Sequence, residues 1–144
     1  MVERTVEASV INFSWLLRLR WGAVLGQLTT VLAVDQGMGI DLPLPPLLGI
    51  IAVEAATNLA LATWSRVRTE VTDSVVGSVL AADVLLLTGL FWLTGGPYNP
   101  FSFLYLVYIA LAAVVLSERW TWALAVLALG SFGAALGVAA VATD

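Results

Sequence analysis

The sequence predicts an all-α integral membrane protein: a bundle of five transmembrane helices with the N-terminus cytoplasmic and the C-terminus periplasmic. Three observations predict it. Of 144 residues, 60% are hydrophobic and only 11% are charged, with a mean hydropathy of +0.98, against roughly 45–50% apolar and about 25% charged in a soluble domain. That apolar surplus is too large to hide inside a globule of 15.2 kDa, so lipid must act as solvent for much of it. Second, five apolar runs are each long enough to cross a hydrocarbon core about 30 Å thick. Third, the arginines all fall on one side of the arrangement that these runs define. Helices rather than a barrel follow, because the runs are continuous and do not alternate as transmembrane strands do.

Before the first run, Val6, Val10, Phe13 and Leu17 recur at spacings of four, three and four, with Glu3, Arg4 and Glu7 between them. Residues 1–13 therefore read as a short interfacial helix leading into the bilayer, with a frayed tail as the alternative. The acids ahead of the first run and the lack of a cleavage region after it mark a retained helix, not a secretory signal. The spans are expected at residues 15–34, 46–64, 74–93, 101–117 and 120–141 of a single transmembrane domain. The connections are too short for a second domain.

Arg4, Arg18 and Arg20 precede or open the first span, Arg66 and Arg68 follow the second, and Arg119 lies between the fourth and fifth. That side is the cytoplasm, and the outer connections, residues 35–45 and 94–100, carry no basic residue. Asp144 falls on the outer side. Trp15, Trp21, Trp64, Trp92, Trp120 and Trp122 lie near span ends, where an indole places its body in lipid and its N–H among headgroups. Small residues recur every four positions at Gly22/Gly26, Ala52/Ala56/Ala60, Gly77/Ala81 and Gly133/Gly137, a spacing that suits helix packing seams and that also arises by chance.

The chain has no Cys and no His, and its six basic residues are all Arg. Thiolate or imidazole metal sites, His-ligated haem, a histidine phosphoacceptor, a Schiff-base lysine and a P-loop are excluded from this sequence. A net charge of −4 argues against nucleic acid. A transporter would show related halves or broken helices, and neither an internal repeat nor an interior Gly/Pro break is visible.

Two acids lie deep inside spans, Glu54 and Asp83. A charge at mid-membrane costs roughly 2.5–3.5 kcal/mol on insertion scales, so each needs a partner or a proton. At about 1.5 Å per residue from the outer ends, Gln27 and Glu54 come to about 10 and 12 Å, and Asp83 and Asn58 to about 16 and 18 Å. Depth matching thus suggests two polar layers, Gln27 with Glu54 and Asn58 with Asp83. Such a cluster can relay protons or bond the carbonyl of a lipid-soluble ligand. The plainer alternative is helix-to-helix hydrogen bonding.

The most specific stretch is the outer connection between the third and fourth spans, Thr94-Gly95-Gly96-Pro97-Tyr98-Asn99-Pro100-Phe101. The glycines end one helix, Pro97 fixes a turn, Asn99 can cap the next helix and Pro100 sits at its first position. A tight helical hairpin explains those residues. It does not require Tyr98 and Phe101, which put two aromatic rings at the membrane surface.

Gly95-Gly96-Pro97-Tyr98-Asn99-Pro100-Phe101 resembles the GG-x-x-NPF signature in the sensor region of RegB/PrrB-type redox-sensing histidine kinases. Leu17-Arg18-Leu19-Arg20-Trp21, Gly26-Gln27, Asp41-Leu42-Pro43, Asn58-Leu59 and Asp83 are similar to the same six-span input domain, so the resemblance covers roughly residues 14–135. It implies a non-catalytic module that senses the ubiquinone pool. A non-covalently bound quinone would stack on Tyr98 or Phe101 and accept a hydrogen bond from Asn99 or a glycine N–H.

The sequence also departs from the family, which carries a sixth span, a histidine-bearing dimerisation helix, a redox-active cysteine and an ATP-binding kinase domain. Two expectations fit. One is a sensor input module, working as a homodimer. The other is a stand-alone accessory structural subunit of a larger respiratory or photosynthetic complex that exchanges quinone, which the run from Met1 to Asp144 favours mildly. Either sits in the bacterial inner membrane in contact with lipid, and neither calls for haem, metal or nucleic acid.

Overall fold

The computed structural model describes residues 2–67 and 70–142, and no strand occurs among the described residues. Five α-helices are present, as expected: α1 (Val2–Leu32), α2 (Leu44–Ser65), α3 (Asp73–Leu93), α4 (Leu104–Val115) and α5 (Glu118–Ala142). Arg68, Asp144 and the side chains of residues 1–11, on which the amphipathic pattern of Val6 and Val10 rests, lie outside the described residues. The backbone over Val2–Leu32 is one unbroken helix, so the lead-in segment and the first apolar run form a single rod.

Among the described residues, three helices are long and apolar enough to cross a membrane by length and composition, Leu44–Ser65, Asp73–Leu93 and Glu118–Ala142. In α1, Arg18, Arg20 and Gln27 dilute the apolar run. The apolar stretch Phe101–Val115 is shorter, about 22 Å at 1.5 Å per residue. Large apolar side chains face outward along the helices, including Leu59, Leu85, Leu106, Val114, Val126 and Leu129. An exterior of this kind suits contact with lipid chains.

The helices form two compact units, Met1–Thr72 and Asp73–Asp144. In the first, α1 ends in a π-helical turn, Ala33–Gly37, closed by the Met38 N–H on the Ala33 carbonyl at 3.1 Å. Gly39, at φ +65°, then reverses the chain, and the Asp35 carboxylate accepts from the Leu42 N–H at 3.2 Å. Pro43 precedes α2, and Pro45 lies in its first turn, where no intrahelical N–H is needed. The two helices pack antiparallel. Phe13, Leu16, Arg20, Val24 and Val31 are buried on α1, and Leu47, Ile51, Glu54 and Asn58 on α2, at the three- and four-residue spacings of a packed helical stripe.

In the second unit, α3 buries residues on two faces and packs against both α4 and α5. Ala112, Ala128 and Ala135 are buried, and their small side chains let the helices come close. At one end, the Asp73 carboxylate accepts from the Ser117 N–H at 3.1 Å, tying the first turn of α3 to the α4–α5 connection. Beside it the Trp120 indole lies against Gly77, where any Cβ would overlap the ring. Half-buried Trp120, near a span end as expected, is thus seated on α3, and Gly77 has a specific role. Trp64 is likewise packed, edge-on to Phe13 at 6.4 Å, whereas Trp15, Trp21, Trp92 and Trp122 are exposed. The expected seams at Gly22/Gly26 and Gly133/Gly137 meet no neighbouring atom.

Candidate functional site

The elbow between α3 and α4 is built almost entirely by its own side-chain and backbone bonds. Gly95 and Gly96 stand at φ +108° and +58°, a left-handed pair that side chains would strain, and they end α3. A 3₁₀ turn, Gly96–Tyr98, follows, with the Tyr98 N–H on the Gly95 carbonyl at 3.3 Å and the Asn99 N–H on the Gly96 carbonyl at 3.1 Å. Asn99 is extended, as the residue before a proline tends to be. Its Oδ1 accepts from the Phe101 N–H at 2.9 Å and so caps the second 3₁₀ turn, Pro100–Phe103, which leads into α4. Its Nδ2 donates twice to Thr94, to the carbonyl at 3.1 Å and to Oγ1 at 2.9 Å. Asn99 therefore bridges the last turn of α3 to the first turn towards α4. Among the described residues, no turn bond is donated by the Gly95 or Gly96 N–H.

The rings at this clamped turn face outward. Tyr98 is 80% exposed and Phe101 42% exposed, with Trp92 and Phe103 also exposed, and Phe101 and Phe103 lie 6.4 Å apart with a 38° tilt. Beneath the elbow the unit turns inward. Tyr105 is buried, edge-on to Phe91 at 5.5 Å and to Phe132 at 6.4 Å, so one aromatic cluster joins α3, α4 and α5. The Tyr105 hydroxyl donates to Thr88 Oγ1 at 2.8 Å, and that hydroxyl donates to the Val84 carbonyl at 2.6 Å. The sequence reading missed Tyr105 and Thr88. No spacing pattern singled them out, because Tyr105 sits in a continuously apolar run and its burial is set by the packing of α4 on α3 and α5.

In the first unit the intramembrane polar residues gather around Arg20. Asn58 Oδ1 accepts from Arg20 Nη1 at 3.1 Å, Arg20 Nη2 donates to Thr57 Oγ1 at 3.1 Å, and Asn58 Nδ2 donates to the Leu17 carbonyl at 3.2 Å. Arg20, read from sequence as a topological marker, is thus 3% exposed and at the centre of the α1–α2 contact. Its place on the buried stripe, four residues from both Leu16 and Val24, was the available signal. Glu54 is buried one turn before Asn58.

The expected bond between Gln27 and Glu54 is not formed through the Gln27 carbonyl oxygen, which is buried without a hydrogen-bond partner among the described residues. Helix register explains this. Phe13 meets Trp64 and Arg20 meets Thr57, pairs whose numbers add to 77, and Gln27 with Glu54 is out of that register by four residues, one helical turn. Asp83 is buried in α3 of the second unit. No group of three or more His, Cys, Asp or Glu able to hold a metal occurs among the described residues.

Residues 41–136 match the PilS-like transmembrane domain family. The chain belongs to that family. It is also 30% identical over 115 residues to the sensor histidine kinase RegB of Cereibacter sphaeroides, an alignment covering 80% of this chain and 25% of that protein. The chain thus spans about a quarter of the length of this curated relative. No solved structure matches significantly. Both findings support a RegB-type transmembrane input domain, and this PilS-like domain is a multi-pass protein of the bacterial inner membrane.

Proposed function

We propose that this PilS-like domain is a non-catalytic sensing module whose elbow, Gly95 to Phe101, is a quinone-responsive surface. The observation that carries the reading is the pairing of a clamped backbone with presented rings. Asn99 fixes the turn through three hydrogen bonds, while Tyr98 and Phe101 stay exposed beside it. A quinone reaching the elbow through lipid would find flat apolar faces for its ring. It would also find N–H donors for a carbonyl oxygen, from Gly95, Gly96 or the Asn99 amide. The sequence contains no His to serve as a phosphoacceptor, which agrees with a non-catalytic role.

The reading includes five crossings with the N-terminus cytoplasmic, supported by the exposed Arg66 and Arg119 at helix ends assigned to one side and by the exposed Arg18 at the start of the apolar part of α1. It also includes a homodimer, the usual form of a sensor input. Photo-crosslinking with an azido-quinone tests the site: labelling is expected within residues 92–105, and labelling confined elsewhere would refute it. Purification inside a larger complex, with well above ~1,000 Å² buried against other chains, would favour an accessory subunit instead.

A further inference from the structure

The helix α3 carries two threonine clasps of the same design, one at each side of Phe91. In the inner one, Thr88 Oγ1 donates to the carbonyl four residues back, Val84, and accepts from the Tyr105 hydroxyl. In the outer one, Thr94 Oγ1 donates to the carbonyl four residues back, Leu90, at 2.8 Å and accepts from Asn99 Nδ2 at 2.9 Å. Each hydroxyl faces inward along its own helix and is gripped by a donor from beyond the elbow. The clasps differ in surroundings. Thr88 and Tyr105 are buried, whereas Thr94 and Asn99 are only half-buried, next to exposed Tyr98 and Phe101.

We propose that the outer clasp is an autoinhibitory contact: Asn99 and Thr94 hold each other across the elbow, and a ligand carbonyl at this site must displace Thr94 to be bound by the Asn99 amide. The inference rests on the quinone reading above. Three features carry it. The Phe101 N–H can donate only to an oxygen, which fixes the orientation of the amide and points its NH₂ at Thr94. Both amide hydrogens are then in use, one on the Thr94 carbonyl and one on Oγ1, so Asn99 has no spare donor until the clasp opens. Opening strands no donor, because the Thr94 hydroxyl keeps its own bond to Leu90.

The inner clasp, shielded from water among Phe91 and Phe132, stays shut and gives the elbow a pivot. Ligand binding at Asn99 is therefore an exchange of hydrogen bonds, and occupancy releases α4 from the last turn of α3.

This predicts an affinity change of unusual sign. In the full chain, reconstituted in phosphatidylcholine–phosphatidylglycerol vesicles, unlabelled ubiquinone competes with azido-ubiquinone for labelling of residues 92–105. Thr94→Val, which at nearly equal volume removes Oγ1, one of the two acceptors that hold the Asn99 amide, and leaves the Thr94 carbonyl, should reach half-maximal competition at about two- to tenfold lower ubiquinone, the worth of one neutral hydrogen bond. Thr94→Ser, which restores the hydroxyl, should return to the wild-type value. A Thr94→Val chain that binds equally or more weakly while the wild type labels normally overturns the clasp. A measurement needing no variant is the ¹⁵N resonance of the Asn99 side chain in the wild-type chain. It should shift on adding ubiquinone, and an unmoved resonance in a chain whose elbow is labelled overturns the exchange. Labelling of the wild type only outside residues 92–105 removes the quinone reading itself, and the ligand switch with it.

Discussion

In the hairpin of α1 and α2 the buried polar contact is charged and forked, Arg20 on Asn58 and Thr57, whereas in α3–α5 the corresponding contact is a neutral hydroxyl pair, Tyr105 on Thr88, set among aromatic rings. Lipid tails are as apolar as Leu, so no hydrophobic effect draws helices together inside a bilayer, and each unit must find other means. The hairpin uses bonds that are strong because they are charge-assisted and desolvated, and correspondingly expensive to break. The second unit, which also buries Asp83, uses close packing, Trp120 on Gly77 and the rings of Phe91, Tyr105 and Phe132, and around the elbow hydrogen bonds of small individual worth. The difference teaches where motion is cheap. A region held by weak, exchangeable bonds is suited to a ligand-responsive elbow, and one held by a buried cation is suited to stay fixed.

The sharpest way to break the comparison is Arg20→Met. It removes two charge-assisted bonds and leaves the Asn58 carbonyl oxygen buried without its donor. We expect a loss of about 3 kcal/mol, read by SDS titration of the chain in mixed micelles, with faster amide exchange in α1 and α2. Arg20→Lys should recover only part of it, because a single compact ammonium lacks the planar fork by which two guanidinium nitrogens each reach one acceptor. A Met variant as stable as the wild type would show that the charged contact is dispensable and that the two units are held alike.

A smaller effect tests the packing side. Gly77→Ala places a Cβ inside the Trp120 ring and should cost about 2 kcal/mol through overpacking. Combining it with Trp120→Leu should return much of the loss, since the two changes share one contact and cannot be additive. Full additivity in the same SDS titration would mean that the indole does not seat on Gly77.

What the sequence made legible was local, and what it concealed depended on register. Five helices could be read because continuous apolar runs leave few alternatives. The elbow's conformation could be read because Gly95, Gly96 and Asn99 each have a narrow repertoire, and each takes the role its chemistry allows. The partnership of Arg20 with Asn58 could not be obtained by counting depth from assumed span ends. The pairing is set where Phe13 meets Trp64, and one turn of slip moves every facing pair. Arginine was read as a marker of the cytoplasmic side because most arginines near span ends are exposed. Arg20 is the exception, and its spacing on the inner stripe of α1 distinguishes it from Arg18. The pairing of Trp120 with Gly77 could not be read for a similar reason. An indole at a span end usually anchors in headgroups, and only the glycine across from it, itself placed by tertiary packing, shows that this one is seated.

The smallest expected effect is the most discriminating, because it separates the hydroxyl of Tyr105 from its ring. Tyr105→Phe keeps the edge-on contacts with Phe91 and Phe132 and removes only the donor to Thr88. Thr88 Oγ1 retains its bond to the Val84 carbonyl, so no donor is stranded. The cost should therefore be close to the average hydrogen bond between membrane helices, about 0.6 kcal/mol, well below that of Arg20→Met. A double-mutant cycle with Thr88→Val measures the pair directly and should return a coupling of the same size. Coupling of about 3 kcal/mol would make the neutral pair as strong as the charged one, and the contrast between a fixed hairpin and an adjustable elbow would lose its energetic basis. Coupling near zero would leave the rings to hold α4 on α3, and the pivot beneath the elbow would be aromatic packing.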